Sequence, residues 1–172
     1  KSWAIREGDD GSGESGSQLW IADCGASQIM TPSADQMTNY VSCHSTVETA
    51  NGNTCKIVSV GEMTITFQTR AGPVPLRIAN IAHVPDLQYN LLSLSSVTRY
   101  GGHFKDANDG MTLYLDDGNE IDFLPRKGLY YRYGVRAEAE CNFPHANAVL
   151  APGLMPLAPA TDINLFHCAY GH

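Results

Sequence analysis

Positive charge is scarce in this 172-residue chain: 11 Lys and Arg stand against 18 Asp and Glu, for a net charge of −7. Nucleic-acid-binding modules hold phosphates on a basic face, so this balance excludes a nucleic-acid partner for the domain itself. Long apolar runs are missing as well. No stretch reaches the roughly 18 apolar residues of a membrane span, and Lys1–Arg6 opens the chain without a signal-like apolar core. No membrane partner is expected. There is no initiator Met, which points to a fragment or processed product. The five cysteines (Cys24, Cys43, Cys55, Cys141, Cys168) are odd in number and contain no Cys-x-x-Cys pair. A small disulfide-stapled domain shows even, dense cysteines. The pattern therefore predicts reduced thiols in an intracellular protein. The length suits one domain of about 100–150 residues plus tails and is too short for a two-lobed enzyme.

What is present is a series of short apolar runs between turn residues. Residues 1–17 end in a Gly/Ser/acidic stretch that cannot bury apolar surface and reads as a flexible linker. Leu19–Ala22 is a compact strand. Val47–Ala50 and Thr54–Val58 flank Asn51-Gly52-Asn53, a hairpin signal because Asn-Gly supplies the positive φ angles of a tight turn. Met63–Phe67 alternates as a half-buried strand does, and Val74–Val84 forms its return after Ala71-Gly72-Pro73. Leu91–Val97 is predicted as a short helix stopped by Gly101-Gly102. Met111–Leu115 and Glu120–Phe123 flank Asp117-Gly118, a second hairpin, and Leu129–Tyr133 is a last strand. Many short strands with one helix predict an all-β domain over residues 18–134. Residues 135–160 read as a Pro/Ala-rich linker, since Cys141–Ala160 carries four prolines, five alanines and no charge.

The strongest chemical signal is Trp20-Ile21-Ala22-Asp23-Cys24-Gly25-Ala26-Ser27. An apolar strand running into Asp-x-Gly-Ala sets a carboxylate at a strand end, followed by a glycine that permits a close turn. Aspartic proteases need such a carboxylate facing a second one, the two sharing a proton because like charges a few Å apart cannot both ionise. Taken alone, Asp-x-Gly is more often an ordinary surface turn.

Four motifs in one order carry a resemblance to a known family. They are Asp23-Cys24-Gly25-Ala26-Ser27, Thr49-Ala50-Asn51-Gly52, His83-Val84-Pro85-Asp86-Leu87-Gln88-Tyr89-Asn90-Leu91-Leu92-Ser93-Leu94, and Lys127-Gly128-Leu129-Tyr130-Tyr131. Together they resemble the protease segment of copia-type LTR-retrotransposon Gag-Pol polyproteins, of the retropepsin family. In that family the first motif reads Asp-Ser-Gly-Ala-Ser, and Asn90–Ser93 is similar to the block that viral retropepsins end with Gly, here Ser93. The resemblance implies a retropepsin-like closed β domain. Asp23 would be the catalytic carboxylate, Cys24, Gly25, Ala26 and Ser27 its loop, and Ala50, Asn51 and Gly52 the tip of a substrate-binding flap.

Only one Asp-x-Gly-Ala occurs; Asp109-Gly110 and Asp117-Gly118 lack its flanking pattern. Catalysis then requires a homodimer in which Asp23 meets its own copy, acting on a peptide or polyprotein substrate without a cofactor. Cys24 departs from the family's Ser or Thr, whose hydroxyl bonds across the dimer axis. A thiol bonds more weakly, so three readings stand: a working but looser dimer, a catalytically inactive or domesticated domain, or a redox-sensitive residue. A cysteine nucleophile would need a nearby histidine, for which only His44 and His83 offer themselves. Residues 161–172 end in Leu165–His172, similar to the start of the pre-integrase zinc module. His167 and His172 are weak metal candidates, because a structural zinc site takes four ligands; Cys141 and His145 fit no zinc spacing. Asn147–Ala151 and a point before Leu19 are candidate self-processing sites. The resemblance further implies a cytoplasmic location within a virus-like particle.

Overall fold

Short strands can satisfy all their backbone edges by closing into a ring. The computed structural model, which describes residues 16–49, 52–107, 109–136 and 149–150, shows such a closure. β1 (Ser17–Asp23), β2 (Met30–Thr31), β3 (Thr38–Glu48), β4 (Thr54–Thr69), β5 (Gly72–His83) and β6 (Asn90–Ser93) lead into one short helix, α1 (Leu94–Arg99). β7 (His103–Ala107), β8 (Gly110–Tyr114), β9 (Glu120–Arg126), β10 (Leu129–Arg136) and the two-residue β11 (Val149–Leu150) follow. Pairing runs β4–β5–β2–β6–β1–β10 and returns from β10 to β4 through Val135↔Thr66 and Arg136↔Ile65, closing a barrel. β3 pairs with β4 alone, while β9, β8 and β7 extend outward from β10. The all-β, retropepsin-like domain with one short helix is the expected fold class.

The barrel fills because its strands alternate. Along β4, Met63, Ile65 and Phe67 are buried while Thr64, Thr66 and Gln68 are half-buried. They pack with Trp20, Leu76, Ile78 and Leu92 in one core, each large side chain stabilising the fold by roughly 1.5–3 kcal/mol. Closure depends on Gly134 of β10, where a Cβ would stand 2.6 Å from Ile65 Cγ2 and 2.9 Å from Phe67 Cε1. Phe67 reaches Phe123 of the outer sheet, ring centroids 6.0 Å apart, and so ties the two β layers together. Arg132, buried on the same strand, donates to the carbonyls of Gln68 on β4 and Asp122 on β9.

Several elements differ from the sequence reading. The helix starts at Leu94 rather than Leu91, because Asn90–Ser93 pairs in parallel with Trp20–Asp23. Extended backbone sends Leu92 into the barrel core and Leu91 toward a second cluster, a division a helix would not make. The two strands expected at 54–58 and 63–67 are one strand, β4, bent past a register shift between Gly61 and Met63. β2 and β7 were not expected; two residues are too few to show alternation, and His103–Ala107 has little apolar content. Val149–Leu150, assigned to the linker, pairs in parallel with Arg77–Ile78. The rest of residues 137–172 and residues 1–15 lie outside the described residues, as do His167, His172, Cys141 and His145.

Candidate active site

β1 carries Asp23 to the barrel rim. Its core-facing residues Trp20 and Ala22 are buried, and the strand lies between β6 and β10, paired with both. Asp23 is opposite Ser93, the last residue of β6, so the carboxylate stands where both parallel strands end. Its Oδ1 accepts the Gly25 N–H at 2.8 Å, a side-chain turn that fixes the carboxylate against its own loop. Asp23 and Gly25 are half-buried and Cys24 is exposed, while Ala26 is 1% exposed.

Ala26 is buried because two structures hold it. On one side it joins Met30, Val47, Ile57, Ala82 and Val84 in a second apolar cluster. Val47 and Ile57 belong to the β3–β4 hairpin, so the carboxylate loop and the hairpin base share a core. On the other side its carbonyl accepts hydroxyls from Ser93 (2.5 Å) and Ser95 (3.1 Å), while Ser96 donates to the Ser27 carbonyl at 3.3 Å. Ser93 is also the N-cap of α1, accepting the Ser96 N–H at 3.1 Å. These serines are the functional positions the sequence reading did not single out beyond Ser93. The signal was available in Ser93-Leu94-Ser95-Ser96, a hydroxyl run at a helix start.

The hairpin predicted around Asn51-Gly52 is present. Gly52 has φ 79°, its N–H donates to the Thr49 carbonyl at 2.8 Å, and Thr49 N–H donates to the Asn53 carbonyl at 2.7 Å. Ala50 and Asn51 lie outside the described residues. Among the described residues no group of three His, Cys, Asp or Glu side chains could hold a metal ion. His44 is exposed; His83 is half-buried, with Nδ1 closed off from water and lacking a hydrogen-bond partner. Among the described residues, Cys43 and Cys55 carry free thiols.

A second polar network pins the opposite end of β1. Asn90 donates to the Leu19 carbonyl at 2.9 Å and accepts the Thr31 hydroxyl at 2.8 Å. Arg136, 6% exposed, donates to Thr31 Oγ1, Ser33 Oγ and the Asp35 carbonyl. Burial pulls its guanidinium below the usual arginine range, and the Asp35 charge opposes that shift.

A closed β barrel with a glycine-turned carboxylate loop at the rim defines the class of domain. Residues 20–102 match the family described as Pol polyprotein, beta-barrel domain. The chain is 35% identical over 155 residues to the retrovirus-related Pol polyprotein from transposon TNT 1-94 of Nicotiana tabacum, an alignment covering 89% of this chain and 10% of that protein. The chain thus spans about a tenth of its relative's length. Its residues 20–102 match that family's β-barrel domain, and the chain is similar to a segment of a retrotransposon Pol polyprotein.

Proposed function

We propose that this segment is the aspartic endopeptidase of a copia-type Gag-Pol polyprotein, active as a homodimer in which two Asp23 carboxylates face each other. The observation that carries the reading is the held loop: Asp23 ends a buried strand, is bonded to Gly25 N–H, and is followed by a backbone fixed by three serine hydroxyls. A catalytic carboxylate requires such positioning. In the dimer one carboxylate takes a proton from water as general base while the protonated partner polarises the scissile carbonyl. The two titrate as one coupled unit. Residues 49–57 of the hairpin would hold an extended peptide by strand-like hydrogen bonds.

Cys24 favours a second reading, a domain that keeps the fold and the dimer contact but not catalysis. A sulfur at this position is a weaker cross-axis partner than a hydroxyl. Incubation with a longer polyprotein fragment at mildly acid pH, beside an Asp23→Asn chain, separates the two. The protease reading expects cleavage by the first alone. Equal cleavage by both, or none by either at high concentration, rejects it.

A further inference from the structure

Arg136 is a buried cation whose hydrogen bonds all go to neutral oxygens. Nη1 donates to the Asp35 carbonyl (2.7 Å) and Ser33 Oγ (3.3 Å), and Nη2 donates to Thr31 Oγ1 (3.1 Å). Of the five N–H donors of a guanidinium, these use both on Nη1 and one on Nη2. Nε is closed off from bulk water and has no hydrogen-bond partner among the described residues. The Asp35 carboxylate is engaged instead by the Ser33 hydroxyl at 2.8 Å. A buried charge without a directly bonded counter-ion is costly, and this one lines a pocket of about 250 Å³. Gln18, Leu19, Ser33, Tyr89 and Asn90 form other parts of its wall. Gln18 Oε1 faces Asn90 Nδ2 at 3.5 Å, which leaves the Gln18 amide N–H groups for a ligand.

We propose that this pocket is a carboxylate-binding site, in which the Arg136 guanidinium and the Gln18 amide hold the two oxygens of one carboxylate. A planar guanidinium presents its N–H donors in a fixed fork, which an ammonium cannot reproduce. The site is separate from Asp23, which lies five residues beyond Gln18 along β1, roughly 17 Å at the rise of an extended strand. It therefore stands whether or not the protease reading does. The carboxylate has two sources: the acidic residues that precede Gln18 in sequence (Glu7, Asp9, Asp10 and Glu14), or a separate acidic peptide.

Sodium acetate tests the site in the full chain, with sodium chloride as the ionic-strength control and the side-chain Nε–H resonance of Arg136 as the readout. The expected result is a saturable shift with acetate that chloride does not produce. Arg136→Lys should abolish acetate binding, read by the backbone amides around Ser33 and Asn90. Gln18→Ala, which leaves the buried cation in place, should weaken it several-fold even if the lysine variant does not fold. A chain with Glu7, Asp9, Asp10 and Glu14 changed to amides identifies the source. If the chain's own carboxylate is the occupant, the Arg136 resonance moves without added acetate and acetate then binds more tightly. If the source is a separate molecule, the resonance and the acetate affinity stay as they were. No saturable acetate response in either chain, or a response equal to that of chloride, overturns the proposal.

Discussion

The Ser93 hydroxyl and the Ala26 carbonyl meet at 2.5 Å across 67 residues of sequence. One oxygen thereby caps α1 and holds the backbone that follows Asp23. The contact links the helix to the carboxylate loop without involving Asp23 itself.

Ser93→Ala removes both roles. Loss of an N-cap costs about 1 kcal/mol, and a buried carbonyl that loses a partner adds on the order of 1 kcal/mol. Urea unfolding should therefore show a loss of about 2 kcal/mol. Ser95→Ala should cost less than half as much, because Ser95 is exposed and Ser93 still serves the same carbonyl. Equal losses would argue against Ser93 as the principal tie.

Gly134→Val should damage the barrel where β10 meets β4. Even the first added carbon would stand 2.6 Å from Ile65 Cγ2, and overpacking of this kind costs roughly 1–3 kcal/mol or more. Gly52→Ala, at an open turn where a Cβ meets nothing within 4 Å, should cost only about 1 kcal/mol through its positive φ. Thermal unfolding of the two variants distinguishes packing at the closure from turn strain.

Acid should weaken the β4–β5 pairing through Glu62. Its carboxyl is held below the usual carboxylate range first by the Arg77 hydrogen bond, at 2.7 Å, and then by Asn39. A depressed folded-state pKa contributes stability that is present above the unfolded value and lost as pH falls through the folded one. The pair is partly exposed, so the effect belongs to the small surface class. Glu62→Gln should lower stability slightly at pH 7 and make no difference once the pH is below the folded-state pKa, so the two profiles converge in acid. A loss that is larger at acid than at neutral pH would contradict the pairing.

If Cys24 lies at the dimer axis, its sulfur is the weak partner across it. Cys24→Ser should raise peptide cleavage and should dimerise more tightly, since a hydroxyl is the better hydrogen-bond partner. An unchanged dimer affinity in sedimentation would count against the axis position.

The carboxylate loop was legible in sequence because its chemistry is local: an apolar strand, Asp, then Gly two residues on, whose N–H returns to that Asp. The Asn-Gly and Asp-Gly hairpins were legible for the same reason. Leu91–Ser93 was not, because apolar spacing over so few residues fits a helix turn or a strand, and parallel pairing with β1 decides the matter. Arg136 was missed because it fell inside the linker expected over residues 135–160, where a charged residue reads as solvated; β10 instead runs on to Arg136 and the closed barrel buries it. The partners of Ala26 were missed because Ser93, Ser95 and Val47 reach it from distant parts of the chain.

The central claim is that one active site needs Asp23 from two copies. Its most direct test mixes the chain with its Asp23→Asn variant at constant total concentration, after reduction and exchange, and follows cleavage of a peptide substrate. If only dimers with two intact carboxylates work, an equimolar mixture retains about one quarter of the activity by random pairing. Retention of about one half would mean that each copy acts alone, and would contradict the account.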